Sequence, residues 1–250
     1  MDGAQDDPEW QALLAGRPEH AGSLAALFAP VLAAPGAPDG CLVVGRLAQT
    51  LDGRIATASG HSKWIGGPGD IRHTHRLRAL CDAVIVGAGT VVEDDPLLTT
   101  RHVAGPSPLR VVLDPSRRLG AQYQLFRDGL PSLLVTASDG PARHGTAEVL
   151  RLGRGPDGGL DLPALLRTLA SRGMRRLFVE GGGQTVSRFL AAGCLDRLHV
   201  TVAPMILGSG RPAFDLRCVQ SIDEGLRFCW TCHAIPPDFL FDIALKRRTP

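Results

Sequence analysis

The stretch LFVEGGGQTVSRFL, residues 177–190, decides how the rest of the chain is read. Apolar residues run into Glu180, three glycines follow, and Gln184 to Ala192 has the pattern of a helix. A strand, a glycine turn and a helix start in that order can bring backbone N–H groups close to a ligand, at the positive end of a helix dipole. Such a junction suits phosphate. It is neither the spaced G-x-G-x-x-G fingerprint nor a triphosphatase loop with its lysine, and alone it could be a plain tight connection. Glu180 points further: an acid at a strand's carboxyl end beside an anion site serves a substrate better than it serves stability.

Working outward, short β-branched runs alternate with helical stretches from Cys41 onward. Strands are expected at 41–49, 82–88, 109–114, 132–137, 148–152, 175–180, 196–204, 227–232 and 239–245, and helices at 68–80, 162–172 and 184–192. Alternation of this kind predicts an α/β fold with a sheet covered on both faces. The late strands have almost no helix between them, so antiparallel pairs should close the carboxy-terminal half. Residues 1–40 read differently: a helix starting at Asp7-Pro8-Glu9, a second over 23–32, then the linker PGAPDG. The expected division is 1–40 as a helical extension and linker, without chemistry, and 41–250 as one domain. No internal repeat is present.

Composition narrows the function. The 27 basic and 25 acidic residues leave a formal charge of +2, and aromatics are 5% of the chain. That excludes a broad electrostatic field for nucleic acid and a base-stacking platform. No apolar run approaches the roughly 20 residues of a membrane span, and MDGAQDDPEW lacks the plan of a secretion signal. Cytoplasm is the expected compartment. The cysteines then read as small core residues, with no disulfide framework. CWTCH (229–233) has the spacing of covalent haem attachment, but that chemistry needs export. A lone C-x-x-C lacks the four ligands of a zinc site, and His73 and His75 lie two apart on a helix, facing different ways. No metal site is expected.

Three further clusters carry candidate chemistry. In RLAQTLDGRIATASGHSKWI (46–65), Asp52-Gly53 reads as a turn, while Ser62 and Trp64 sit in a polar loop where a flat ring could meet a planar ligand or anchor the loop. In RLRALCDAVIVGAGTVVEDDPLLTTR (76–101), a strand runs into glycines with Thr90 and Asp94 near its end, and Arg78 and Arg101 flank it. In LRVVLDPSRR (109–118), Asp114 followed by Ser116-Arg117-Arg118 resembles the ribose site of dinucleotide folds, where basic residues suit a 2′-phosphate. Each also has a plain reading as a charged turn or surface.

Together TLDGRIATASGHSKWI, HRLRALCDAVIVGAGTVVEDDPLLTTR, PLRVVLD and VEGGGQTVSRFLAAGCLDRLHVTVAPMILGSGRP, spanning about 45–215, resemble the reductase domain of the riboflavin-biosynthesis deaminase/reductase family, a relative in fold of dihydrofolate reductase. The resemblance implies a three-layer α/β domain, dihydrofolate-reductase-like, with a mixed, mostly parallel sheet and helices on both faces. It implies a homodimer that uses NADPH to reduce the ribosylamino group of a phosphorylated pyrimidine to ribitylamino. Carried over by position, Ser62, Arg78, Leu98 and Arg101 would hold the substrate's ribose phosphate. Ala48, Trp64, Thr90, Asp94 and the segment Gly182, Gly183, Gln184, Thr185 to Arg188 would line the cofactor. Glu180 and Asp94 would position the ribose and handle protons, with Arg46 beside them.

The chain departs from the family in three ways. Residues 1–40 stand in place of a deaminase domain, with no H-x-E…P-C-x-x-C zinc signature, so a free-standing reductase is expected. Arg46 stands where the family often has a lysine that contacts the pyrimidine or the acid, and Thr50 where serine is usual. A pterin or folate reductase, or a specialised-pathway reductase on the same fold, is the alternative enzyme. A non-catalytic NADPH-binding protein is the alternative outside enzymes.

Overall fold

The computed structural model describes residues 7–63 and 65–247. The strands are β1 (Leu42–Thr50), β2 (Arg54–Thr57), β3 (Ala83–Gly87), β4 (Leu109–Leu113), β5 (Ser132–Thr136), β6 (Arg143–His144), β7 (Ala147–Arg151), β8 (Arg176–Glu180), β9 (Arg197–Ala203), β10 (Gly210–Pro212), β11 (Trp230–Ile235) and β12 (Asp238–Ala244). The α-helices are α1 (Pro8–Leu14), α2 (Gly22–Leu32), α3 (Pro68–Leu80), α4 (Ala88–Asp94), α5 (Leu162–Ser171) and α6 (Gly183–Ala191).

Ten strands form one sheet in the order β11–β12–β9–β1–β8–β3–β4–β5–β7–β6. From β9 across to β7 all neighbours are parallel, while β12, β11 and β6 join antiparallel. This is the expected mixed, mostly parallel sheet. Alternate residues of each central strand serve opposite faces. Val44, Val84, Val86, Val112, Leu134 and Phe178 pack under α1 to α4, and Val43, Ile85, Val111, Leu133, Leu177 and Val179 pack under α5 and α6. Helix–sheet–helix layers follow.

Three local expectations change. α4 replaces the expected glycine turn after β3: Gly87 takes the N-cap position and Val91 is fully buried. That burial offsets the roughly 1 kcal/mol that Gly89 costs inside a helix. The strand expected at 227–232 is β11, shifted to Trp230–Ile235, because its extent is set by pairing with β12, from Ile235↔Asp238 to Trp230↔Ile243. The strand after Asp52-Gly53 does not fold back on β1; β2 pairs with β10 in a separate two-stranded sheet.

The amino-terminal helices pack directly on α3. The Asp7 side chain caps α1 by accepting from the Trp10 N–H at 3.2 Å, and Asp7 also pairs with Arg76. Trp10 donates its indole N–H to the Ala104 carbonyl at 2.9 Å, and its ring meets Phe28 edge-on. Phe28 stacks on His73 at 5.4 Å between centroids. Beneath them lies a buried polar row: His73 Nε2 lies 3.0 Å from His199 Nδ1, and His199 Nε2 approaches Asp242 Oδ1 at 3.1 Å. Asp242 is also held by Arg197. The row needs neutral rings, each passing one N–H along. Burial pushes both imidazoles below their ordinary pKa, and burial beside Arg78 and Arg101 takes His75 down to about 3.

A histidine with a depressed folded pKa binds its proton more readily in the unfolded chain. Stability is therefore full above pH 6.5 and falls as pH drops below it; for His75, with its folded pKa at about 3, the loss is about 1.4 kcal/mol at pH 5.5. Urea titrations from pH 7.5 to 5.0 should show this loss, and His75→Gln should remove one histidine's share of the slope.

Candidate active site

The carboxyl ends of β1, β8, β3 and β4 lie side by side and open into a single cleft of about 1290 Å³. A crevice at this edge of a parallel sheet is where such folds place ligands. β1 contributes Arg46 and Ala48, β8 Glu180 and the glycines, β3 leads into Gly87 and Thr90, and β4 into Asp114 and Ser116. The geometry thus gathers Arg46, Ala48, Ser62, Arg78, Thr90, Asp94, Leu98, Arg101, Glu180, Gly182, Gly183, Gln184 and Thr185 around one cavity. Trp64 lies outside the described residues.

The floor is built from α3 and two strands. On α3, Asp70, Thr74 and Arg78 recur every four residues, so they share one face, and all three line the cleft. Below them Arg46 and Glu180 are register partners on the parallel strands β1 and β8, pointing to that same side. Arg78 clamps Glu180 with two bonds, Nε to Oε2 at 2.8 Å and Nη2 to Oε1 at 2.5 Å, and gives Nη1 to the Thr99 carbonyl at 2.9 Å. Arg46 pairs with Asp70. Two guanidinium–carboxylate pairs lie side by side on the cleft floor. Arg78 therefore stands where a phosphate ligand was expected, with its guanidinium already committed to Glu180.

At one end, Arg101 makes no ion pair among the described residues, and its cation is exposed to the cleft. Its backbone N–H donates to His75 Nδ1 at 3.1 Å, which fixes the loop and sets the proton on His75 Nε2. His102 packs edge-on against His75 there, with 4.5 Å between ring centroids, and Ser62 also lines the cleft. Leu98 sends its side chain into the core, 1% exposed, while its backbone adopts φ +54°, a conformation a leucine seldom takes without tertiary constraint.

The other end is the glycine turn. Gly181 has φ +119°, and a Cβ there would lie 2.9 Å from Thr90 Oγ1; a Cβ on Gly183 would lie 2.3 Å from the Ala213 carbonyl. Glycine is required at both. Gly182 caps α6 with no side chain to accept from the first turn; its own N–H donates to Thr90 Oγ1 at 3.3 Å and the Thr185 N–H to the Gly182 carbonyl, which leaves the Gly183 and Gln184 N–H groups for an anion. Farther along, Ser116 and Arg118 line the cleft. Arg117 does not join them: with φ +51° its guanidinium turns to the carbonyls of Pro141 and Arg143. Asp114 is buried, and its Oδ2 accepts from the Leu119 N–H at 2.8 Å, so it shapes the turn. Arg188 is paired with Asp157.

Asp94 ends α4 at the cleft. It accepts no hydrogen bond and makes no ion pair among the described residues. Partial burial, with Glu93 and Glu180 nearby, raises its pKa against the opposing pull of Lys63. Asp70 was not singled out in the sequence and His75 was weighed only as a metal ligand, although the helical spacing of both from Arg78 was available as a signal. Cys41, Cys81 and Cys194 are buried, and Cys218, Cys229 and Cys232 are exposed. Among the described residues, no three His, Cys, Asp or Glu side chains gather as a metal site.

Residues 42–235 match the RibD C-terminal domain family. The chain belongs to that family. It is 38% identical over 188 residues to the 2,5-diamino-6-ribosylamino-4(3H)-pyrimidinone 5′-phosphate reductase of Methanothermobacter thermautotrophicus, covering 73% of this chain and 86% of that protein. It is 36% identical over 186 residues to the riboflavin biosynthesis protein RibD of Aquifex aeolicus, covering 72% of this chain but only 51% of that longer protein. Among solved structures, a diaminohydroxyphosphoribosylaminopyrimidine deaminase/5-amino-6-(5-phosphoribosylamino)uracil reductase from Thermotoga maritima superposes with a TM-score of 0.70 at 27% identity, over 82% of this chain and 56% of that one. The fold of the reductase part is shared.

Removing Arg78 would leave Glu180 a nearly buried carboxylate without its cation. Arg78→Met is expected to cost about 3–5 kcal/mol of folding stability, measured by urea denaturation at pH 7.5, with part of the loss recovered in the Arg78→Met/Glu180→Gln double variant.

Proposed function

We propose that the chain is an NADPH-dependent reductase that converts the ribosylamino group of a phosphorylated pyrimidine to ribitylamino, a reaction of riboflavin biosynthesis. The observation that carries this reading is the cleft itself: a free guanidinium at one end, an uncapped glycine-led helix at the other, and paired charges between. Two anionic ligands need such a layout, and the relative from Methanothermobacter is named for a substrate with a 5′-phosphate.

The residues fit a dinucleotide. The Gly181–Gly183 turn lets the backbone approach a pyrophosphate closely, with no side chain in the way, and the bare α6 terminus offers N–H donors. Ser116 and Arg118 suit a 2′-phosphate, which favours NADPH over NADH. When bound, the coenzyme supplies hydride; the protein positions the reactants and manages charge.

On the substrate side, Arg101, Ser62 and the neutral His75 N–H hold the ribose phosphate. Glu180, clamped by Arg78, faces the positive charge that develops as the sugar ring opens to an electrophilic imine carbon. Asp94 lines the cleft without an ion pair among the described residues, and we assign it delivery of the proton to the departing ring oxygen. Hydride then adds to the imine carbon, and its nitrogen ends as the amine.

We also infer a homodimer. β11 is an edge strand, and Val219, Ile222, Leu226, Phe228 and Trp230, along the chain leading into it, are exposed. An exposed apolar edge of this kind calls for a partner, and a second copy satisfies it with like against like.

NADPH oxidation, followed at the coenzyme's absorbance with the amino and oxo pyrimidine ribotides and with dihydrofolate, tests the reaction. Turnover is expected with a ribotide and not with dihydrofolate; tight NADPH binding without turnover on either ribotide would overturn it. Arg101→Ala should raise KM for the ribotide by the equivalent of about 2–4 kcal/mol while leaving KM for NADPH unchanged. Light scattering should give a dimer that Trp230→Asp weakens; a monomer at all concentrations would remove the second inference.

A further inference from the structure

Asp70 is 4% exposed, and Oδ1 accepts from the buried Thr201 hydroxyl at 2.7 Å while Oδ2 meets Arg46 Nη2. Its backbone carbonyl accepts from Thr74 Oγ1 at 3.0 Å. Every part of this carboxylate is therefore fixed from α3, β9 and β1.

Stability alone is a poor reason for the arrangement. Burying an ion pair recovers little free energy beyond what an apolar pair would give. Arg46 Nε is also buried with no acceptor, an unmet donor that costs stability. Nη1 likewise has no acceptor among the described residues, although the side chain lines the cleft. What the pair does provide is order. A free arginine side chain carries much rotamer entropy, and Asp70 removes it during folding, before any ligand arrives. A planar cation anchored at one nitrogen, with donors left over beside Glu180, matches a flat ring that presents carbonyl oxygen and ring nitrogen acceptors.

We propose that Asp70 is a positioning residue that locks Arg46 so that its guanidinium reads the acceptor edge of the substrate's pyrimidinone ring. The proposal deepens the ribotide reading above and rests on it. That position 46 meets the pyrimidine is what the family resemblance implies; the new element is Asp70, which fixes Arg46 for that contact, while Arg101 holds the phosphate, a separable part of the ligand.

Asp70→Asn keeps an acceptor for Thr201 and removes the charge. Calorimetry with NADP⁺ present, so that no turnover occurs, compares 2,5-diamino-6-ribosylamino-4(3H)-pyrimidinone 5′-phosphate with ribose 5-phosphate, which lacks the ring. Asp70→Asn should weaken the first by about tenfold or more and the second by less than about twofold, and should add nothing on an Arg46→Gln background. Equal weakening of both ligands, no weakening, or full additivity with Arg46→Gln would overturn the proposal. Should the single variant fail to fold, Asp70→Asn/Arg46→Gln, which removes both charges, carries the comparison with Arg46→Gln. If the wild type does not bind the ribotide, the substrate reading falls. ¹⁵N relaxation of the Arg46 Nε–H then decides the positioning role: ordered in the wild type and mobile in Asp70→Asn supports it, and mobile in both overturns it.

Discussion

The alternation of charge between α3 and the ends of β1 and β8 is the constraint on which the cleft depends. Parallel strands deliver side chains to a common edge, and register pairs Arg46 with Glu180 on the same face. Left alone, those two groups could neutralise each other and close the floor. Asp70 and Arg78, two turns apart on one helix, divert them into separate pairs. The helix thus does for electrostatics what the strands do for geometry: it leaves charged groups held apart, ordered and facing a ligand.

The same division explains the two ends. Because Arg78 is spent on Glu180, Arg101 is left without an ion pair among the described residues, held by its backbone bond to a histidine that burial keeps neutral. A neutral ring there adds a donor without another full charge to repel Arg101. At the opposite end the helix terminus and glycines offer partial charges only, which suits a coenzyme that must also leave.

Much of this was legible in the chain. Glycines after Glu180, the helix over 68–80, the two-faced strands and the antiparallel closure could all be read from local pattern. What escaped was non-local. The pairing of β2 with β10 joins segments far apart in sequence, and the boundaries of β11 are dictated by a partner strand. Arg78 could be placed at the site but not given its partner, since a guanidinium reads the same whether it awaits a phosphate or holds a carboxylate. Asp70 was missed because the acids and arginines were weighed one at a time; the four-residue spacing of Asp70, Thr74 and Arg78 was visible.

The central adjacency of β1 and β8 has a consequence for how the molecule is made. The chain must be synthesised almost to its last quarter before Glu180 exists to lie beside β1. Until then the first strand has neither of its lasting neighbours, β8 and β9. Contacts so distant in sequence pay their loop-closure entropy late. On the ribosome, then, the amino-terminal helices must wait on an unfinished sheet, and the last strands to emerge complete the first.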